Sequence, residues 1–214
     1  MQTIAISKHA DCRLSRPLRS AATTLLTLSL VAPATQAVTE QEAVLDPAWA
    51  KCAGENIARG KAVAGIGEFF VTPDDRFFPT VDFSTLTDGN FFPTSQWWSD
   101  GPIWWEEETD GGFQNALRIY LGGAYPIRTL VIQTAVNDIY AVNWIDENTG
   151  WHTAAVPTND GENLTLPTAM AIDALTDRFD IVAYDGNGNH AVTEFQAYTR
   201  SLDLILRCIE LRTR

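Results

Sequence analysis

From Asn56 onward the chain consists of short apolar runs separated by glycine, proline, asparagine and aspartate, and this pattern constrains its fold most strongly. Some runs alternate between apolar and polar residues, as half-buried strands do, and one is almost continuously apolar and β-branched, as a strand buried on both faces is. The alternating runs are Ala116–Leu121 and Arg178–Tyr184, the continuous run is Ile127–Ala135, and Ile139–Ile145 and Ala191–Tyr198 are also strand-like, with a hairpin turn at Asp146–Gly150. Many short strands at this spacing predict an all-β sandwich.

The first 37 residues have the pattern of a secretory signal peptide. A basic region ends at Arg19, an apolar run covers Ala21–Ala34, and small residues at Ala34–Ala37 offer a cleavage site. The apolar run is too short to span a bilayer as a helix. We therefore expect a protein that is secreted or held at the cell surface, without a membrane span in the mature chain.

The charge of the chain excludes several classes of partner. The 214 residues include 15 Lys and Arg against 27 Asp and Glu, and removal of residues 1–37 leaves 11 against 26, a net charge of −15. Nucleic acid and anionic lipid would be repelled by such a charge at long range. A neutral ligand or a cation is compatible with it, and the mature length suffices for one domain with a sizeable core.

The mature chain keeps two cysteines, Cys52 and Cys208, because Cys12 lies in the predicted signal peptide. In an oxidising compartment an even pair suggests a disulfide, which would join the two ends of the domain. Two unrelated thiols are the alternative.

The ends of the mature chain lack the strand pattern. Residues 38–55 are predicted to be a leader segment, in which Val38–Lys51 forms one helical turn at best. Residues 200–214 form a separate C-terminal segment, in which Leu202, Ile205, Leu206 and Ile209 recur at helical spacing. A short amphipathic helix and a final strand are both compatible with this segment.

The stretch Thr87–Trp97 concentrates oxygen-bearing side chains around an Asp-Gly-Asn turn. Calcium takes oxygen ligands from side chains and backbone carbonyls, and a tight turn with glycine lets several of them converge. An ordinary Asx turn without a metal is the alternative.

Four motifs in the same order resemble those of the discoidin, or coagulation-factor type C, domain, a galactose-binding-like jelly roll. They are Asn56–Lys61, Thr87–Asn90 with Trp97, Leu121–Ile127 and Val192–Gln196, and bacterial secreted members look most similar, especially those with the step seen here at Asn137–Tyr140. The resemblance covers roughly residues 56–198. It implies a discoidin-like jelly-roll β-sandwich at residues 56–199, and terminal cysteines joined to each other are also seen in the family.

The resemblance also implies a structural calcium between the Asp-Gly-Asn loop and the closing strand. The implied ligands are the side chains of Asp88, Asn90, Thr94 and Glu194, with backbone carbonyls near Lys61. Two carboxylates would offset the charge of the ion while neutral oxygens fill the remaining positions.

The chain departs from the family pattern in the long segment Ser99–Asn115, where compact members pass more directly to the next strand. Trp104 and Trp105 stand there beside Glu106–Glu108, so an apolar plane adjoins hydrogen-bond acceptors, as in many sugar-binding sites. We predict Trp104 and Trp105 as ligand-binding residues, with packing at the edge of the core as the alternative. Trp97 is predicted to belong to the core.

Catalysis is poorly supported by the sequence. His152 and His190 are far apart, no Gly-x-Ser-x-Gly elbow is present, and adjacent acids in Glu106–Glu108 point in different directions, unlike the facing pair of a glycosidase. The predicted function is an exported, non-catalytic module that binds a glycan of a cell surface or matrix. An adhesive or structural protein that contacts protein partners is the alternative, and a glycoside hydrolase fragment is a weaker one.

Overall fold

The computed structural model describes residues 48–70, 81–106, 115–157 and 163–213, all of which belong to one compact unit. The helices are α1 (Trp49–Ala53) and α2 (Leu202–Thr213), with a 3-10 helix at Phe83–Thr87. The strands are β1 (Ala62–Ile66), β2 (Ile103–Glu106), β3 (Ala116–Thr134), β4 (Ile139–Asp146), β5 (Gly150–Val156), β6 (Thr168–Asp185) and β7 (Asn189–Tyr198). The predicted signal peptide, residues 1–37, lies outside the described residues. Among the described helices none has the length and apolarity needed to cross a membrane.

All described strands pair antiparallel in the order β2-β7-β3-β6-β4-β5, and β1 pairs with β3. The two long strands change partners along their length. The first part of β3 pairs with β1 and with the end of β6, whereas its second part pairs with β7 and with the start of β6. The long strands thereby connect the two layers of a β-sandwich, which confirms the predicted fold class.

The sequence predicted two strands where the structure has the single strand β3. Gly122 and Gly123 fall in its middle, between the paired positions Tyr120 and Tyr125, where the register with β6 shifts. Gly122 has φ +83°, a conformation that glycine adopts without steric cost. The glycines therefore lie at an irregularity in the pairing with β6, and the strand continues beyond them.

The core is formed by the alternating apolar residues of these strands. Its largest fully buried side chains include Trp105, Tyr140, Phe179 and Phe195. β7 is exceptional because it is buried along almost its whole length on both faces. Side chains two residues apart on a strand share a face, so Glu194, Gln196 and Tyr198 lie together on one face of β7.

The ends of the described chain form a second apolar cluster outside the main core. Trp49 and Cys52 of α1 pack there with Tyr198 and with Leu202 and Ile205 of α2. The C-terminal segment is thus a helix, and the part of the predicted leader that the structure describes is an integral part of the domain. Cys52 and Cys208 form a disulfide, with 5.7 Å between their Cα atoms, as the sequence suggested.

Candidate ligand-binding site

β2 carries Trp104 and Trp105, the predicted ligand-binding residues, and buries both of them at 1% and 2% exposure. Successive side chains of a strand point to opposite faces, and both faces of β2 are covered. Trp105 packs edge-on against Tyr140, and Trp104 packs against Phe70. Neither indole offers a face to a ligand, so this prediction is corrected in favour of packing within the core. Glu107 and Glu108 lie outside the described residues.

The neighbouring tryptophans also differ from expectation. Trp97, predicted to belong to the core, is 59% exposed. Trp98 is half-buried and packs edge-on against Trp104, with 5.2 Å between ring centroids. The prediction for Trp97 is therefore wrong, because the following residue anchors this segment.

The Asp-Gly-Asn loop is held beside the start of β1 by Thr87. The Thr87 hydroxyl donates to the Lys61 carbonyl at 3.0 Å, and the Thr87 carbonyl accepts from the Gly60 N–H at 2.7 Å. Within the loop the Asn90 N–H donates to Asp88 Oδ1 at 2.7 Å, which is an Asx turn. The Asx turn is therefore formed, and Asp88 directly follows Thr87, whose hydroxyl contacts the Lys61 carbonyl.

Glu194 of β7 meets this loop and is fully buried. The Gly89 N–H donates to Glu194 Oε2 at 3.3 Å, and Gln196 Nε2 donates to Oε1 at 3.2 Å. Burial raises the pKa of Glu194 to about 8; the two hydrogen bonds and the charge of Arg59 oppose this rise, and the charge of Asp88 adds to it. The fold thus places a carboxyl group where its charged form is poorly solvated.

These residues fit a hard cation in their chemistry. Asp88 and Glu194 interact electrostatically, so they would offer two carboxylates, and the Lys61 carbonyl lies at the same loop. Asn90 and Thr94 are exposed. Among the described residues no group of three or more His, Cys, Asp and Glu side chains is placed to hold a metal, so an ion here would depend on neutral oxygens as well. Calcium remains a prediction.

A pocket of about 640 Å³, here called the terminal pocket, opens beside the same loop. Its walls come from α1, from the segment that follows α1, from the loop at Gly89 and from the C-terminal end of β7. The lining residues are Trp49, Ala50, Gly54, Glu55, Asn56, Arg59, Gly89, Phe91, Gln196 and Tyr198. Trp49 and Tyr198 pack edge-on, with 6.0 Å between ring centroids, and so join α1 to β7.

Hydrogen bonds fix the polar side of the terminal pocket. Asn56 Oδ1 accepts the N–H groups of Ala58 and Ala197 at 3.0 and 3.1 Å, which ties the segment after α1 to β7. The Tyr198 hydroxyl donates to Gln196 Oε1 at 2.5 Å. The positions of both polar side chains on this wall are therefore set by the fold before any ligand binds.

Sequence reasoning missed the terminal pocket because its walls come from opposite ends of the chain. Trp49 lies in the segment predicted to be a leader, and Tyr198 ends the closing strand. One signal was present: Trp49 precedes Cys52 by three residues, the spacing that places two side chains on one face of a helix. A buried tryptophan beside a disulfide cysteine indicates a docked segment.

The buried pair His190 and Asp138 is unsuited to catalysis. His190 Nδ1 lies 3.5 Å from Asp138 Oδ1, and the two residues are 2% and 0% exposed. Asp138 also accepts a hydrogen bond from Tyr140 at 3.0 Å and one from the Asn187 N–H at 3.2 Å. A substrate could not reach these groups, and their contacts instead join the start of β4 to the β6–β7 turn.

No protein-family model matches the chain, and the search of curated proteins gives no match. Solved structures of similar fold include chitosan-binding module 1 of a chitosanase/glucanase from Paenibacillus sp. IK-5, at 18% identity and a TM-score of 0.42 over 68% of this chain and 99% of that one. A fucose-binding module of Streptococcus pneumoniae has 12% identity and a TM-score of 0.47 over 68% and 96%. A family 32 CBM from C. perfringens, in complex with galactose, has 18% identity and a TM-score of 0.40 over 65% and 93%. The chain is similar to these carbohydrate-binding modules in fold alone.

Proposed function

We propose that this chain is an exported, non-catalytic binding protein whose terminal pocket binds a saccharide. The observation that carries the proposal is the composition of the pocket lining, where the half-buried Phe91 adjoins polar groups of Asn56 and Arg59, and where Trp49 and Tyr198, at 5% and 4% exposure, contribute only an edge. A sugar ring presents apolar C–H faces and a rim of hydroxyl groups, and a pocket with aromatic walls and a few fixed polar groups matches both. Saccharides are also named as ligands of the solved structures of similar fold.

A structural calcium belongs to this proposal. Asp88 and Glu194 would supply its carboxylates, Asn90, Thr94 and the Lys61 carbonyl its neutral oxygens, and the ion would compensate the charge of the buried Glu194 carboxylate. Its role would be to hold the loop at Gly89, which is part of the pocket wall, against β7.

A glycan array with the disulfide-intact protein, followed by calorimetric titration of the best saccharide, tests the function. Replacement of Phe91 by alanine should weaken binding roughly 10- to 100-fold, because burial of an aromatic side chain contributes about 1.5–3 kcal/mol. Tyr120→Ala is the matched control, since Tyr120 is 42% exposed on β3, a strand that contributes no residue to the pocket lining. The absence of any signal on the array, or an equal loss of saccharide affinity in both variants, would refute a saccharide site in this pocket.

A second candidate function, adhesion to a protein partner, is favoured by the exposed face of β4, β5 and β6. Trp151 of β5 is 61% exposed and lies opposite Ile145 of β4, which is 38% exposed, and Tyr184 of β6 is 52% exposed. Exposed aromatic and aliphatic side chains of this kind are enriched at protein interfaces. If adhesion is the function, Trp151→Ala should reduce attachment to matrix proteins whereas Trp97→Ala should not.

A further inference from the structure

On the part of the terminal pocket formed by Asn56 and Arg59, the hydrogen-bonding capacity left unused consists of donors. Asn56 shows this most clearly. Its Oδ1 already accepts two backbone N–H groups. Its Nδ2 is buried and has no hydrogen-bond partner among the described residues. Since an amide nitrogen can only donate, Asn56 offers a ligand donors and no free acceptor of comparable strength.

Trp49 and Tyr198 form the buried part of the same wall. The Trp49 side chain is 5% exposed, and its hydrogen bond to Tyr198 opposes the rise that burial causes in the pKa of Tyr198. The Tyr198 hydroxyl donates to Gln196 Oε1, and the Gln196 amide donates in turn to Glu194. An unpaired buried donor such as Asn56 Nδ2 costs roughly 1–3 kcal/mol, so a ligand that accepts from Asn56 is favoured.

Arg59 supplies the positive charge of the pocket lining. Its Nε lies 3.3 Å from the position that a Cβ on Gly89 would occupy, which places the guanidinium at the pocket wall. For this guanidinium the described residues provide no hydrogen bond and no ion pair at contact distance. It attracts Glu194 electrostatically, but that carboxyl group is fully buried and bonded to Gly89 and Gln196. Most of the five guanidinium donors are thus available to a ligand.

We propose that the terminal pocket selects saccharides that carry a carboxylate, such as uronic acids, with Arg59 and Asn56 donating to the carboxylate and its neighbouring oxygens. This proposal rests on the saccharide-binding function proposed above. A carboxylate only accepts hydrogen bonds, and a guanidinium meets its two oxygens in a planar, bidentate arrangement. A neutral hydroxyl group has a proton that needs an acceptor, and Asn56 and Arg59 offer none, since Asn56 Oδ1 is already used.

The negative charge of the whole chain does not oppose the proposal at contact range. At physiological ionic strength exposed charges are largely screened beyond about 8 Å. Glu55 is the exposed acid in the pocket lining, and its carboxylate would repel an acidic sugar. Removal of that charge should therefore strengthen binding, an effect whose sign is opposite to the effect of removing Arg59.

The test compares matched sugars by calorimetry on the disulfide-intact protein: methyl glucuronide against methyl glucoside, methyl galacturonide against methyl galactoside, and glucose 6-sulfate as an anion of another shape. The acidic sugar of a pair should bind at least about tenfold more tightly, because hydrogen bonds to charged groups are roughly twice as strong as neutral ones. Arg59→Gln should remove that preference, while Arg207→Gln, a matched change at an exposed position of α2, should preserve it. Glu55→Gln should raise affinity for the acidic sugar and leave that for the neutral one unchanged.

Asn56→Asp tests the donor role of the Asn56 amide most directly. It retains the oxygen that caps Ala58 and Ala197 but replaces the unpartnered donor with a negative oxygen, so binding of the uronide should be lost. Asn187→Asp is its control, because Asn187 is exposed and its Oδ1 likewise accepts a backbone N–H, that of Asn189. Melting curves identify any variant that fails to fold, in which case Arg59→Gln and Glu55→Gln decide the matter.

The outcomes separate the two proposals. Equal affinity for a uronide and its neutral partner would overturn carboxylate selection and leave saccharide binding intact. Tighter binding of the sulfate ester than of the uronide would also overturn it. If none of these sugars binds at millimolar concentration, carboxylate selection falls, while saccharide binding is decided separately by the glycan array.

Discussion

At the scale of single residues, Asp146 shows how one carboxylate can join three segments. It accepts N–H hydrogen bonds from Leu175 at 2.6 Å, from Asn148 at 2.8 Å and from Thr149 at 3.0 Å. The bond from Leu175, together with the others, lowers the pKa of Asp146 to about 2. The residue therefore ties the β4–β5 turn to β6 in its charged form.

This geometry predicts a loss of stability in acid. A carboxyl whose pKa is lowered by folding contributes stability above its unfolded pKa of 3.8, and this contribution is lost as the pH falls towards 2. Asp146→Asn should lower the melting temperature at pH 7 and flatten its dependence on pH between 4 and 2. Thermal melts of both proteins across that range provide the check; parallel curves would contradict the assignment.

The tryptophans provide a second prediction at this scale. Trp105→Ala should lower the free energy of unfolding by roughly 3–5 kcal/mol, because it removes a fully buried aromatic side chain. Trp97→Ala, at 59% exposure, should change it by about 0.5 kcal/mol or less. Denaturant melts of the two variants measure the difference, and similar values for both would show that their environments are not as described.

At the scale of elements, α1 depends on its tertiary contacts. A helix of five residues is too short to be stable alone in water, so Trp49 and the Cys52–Cys208 disulfide must hold it against Tyr198 and α2. This dependence explains why α1 was predicted to belong to a leader. Helix propensity and apolar periodicity indicate a helix only over segments longer than five residues. It also makes the terminal pocket sensitive to the disulfide.

The strands were easier to predict because their apolar alternation is local. The Ala116–Leu121 and Arg178–Tyr184 runs lie within β3 and β6, and the turn at Asp146–Gly150 joins β4 to β5. The burial of both Trp104 and Trp105 could not be predicted locally, because Phe70, which bridges to Trp104 across the chain, covers one face of β2. The terminal pocket could not be predicted for a similar reason, because its walls come from segments that are far apart in the sequence.

We predict that the double variant Cys52→Ser and Cys208→Ser loses roughly 4–5 kcal/mol of unfolding free energy in the chain-entropy model. Its saccharide affinity should fall as well, because α1 forms one wall of the pocket. Denaturant melts and titration measure both effects. Dithiothreitol should reproduce them in the unmodified protein and have no effect on the double variant; undiminished affinity would show that α1 stays in place without the bond.

At the scale of the whole molecule, folding buries one carboxyl group of this acidic chain and makes it dependent on charge compensation. Burial, with a smaller contribution from the charge of Asp88, raises the pKa of Glu194 from 4.5 to about 8. A group of this kind contributes its full stability below pH 4.5 and loses it as the pH rises through 8. A bound cation would remove that loss.

Calcium should therefore raise the melting temperature of the protein, and the increase should be larger at pH 8 than at pH 5. At a hundredfold excess over the dissociation constant the stabilisation is about 2.7 kcal/mol. Asp88→Asn should abolish most of the response, while Asp203→Asn, an exposed change on α2, should not. A melting temperature that changes with neither chelator nor added calcium would show that the Asp-Gly-Asn loop is only a turn.

The central claim, that the terminal pocket is the saccharide site, is tested most directly by hydrogen exchange with and without the saccharide selected on the array. Ligand binding should slow exchange in peptides that cover residues 49–59, 87–91 and 196–198, which form the pocket walls, and should leave β4 and β5 unchanged. Protection confined to peptides around Ile145 and Trp151, with none at the chain ends, would contradict the claim and place recognition on the exposed face of the sheet.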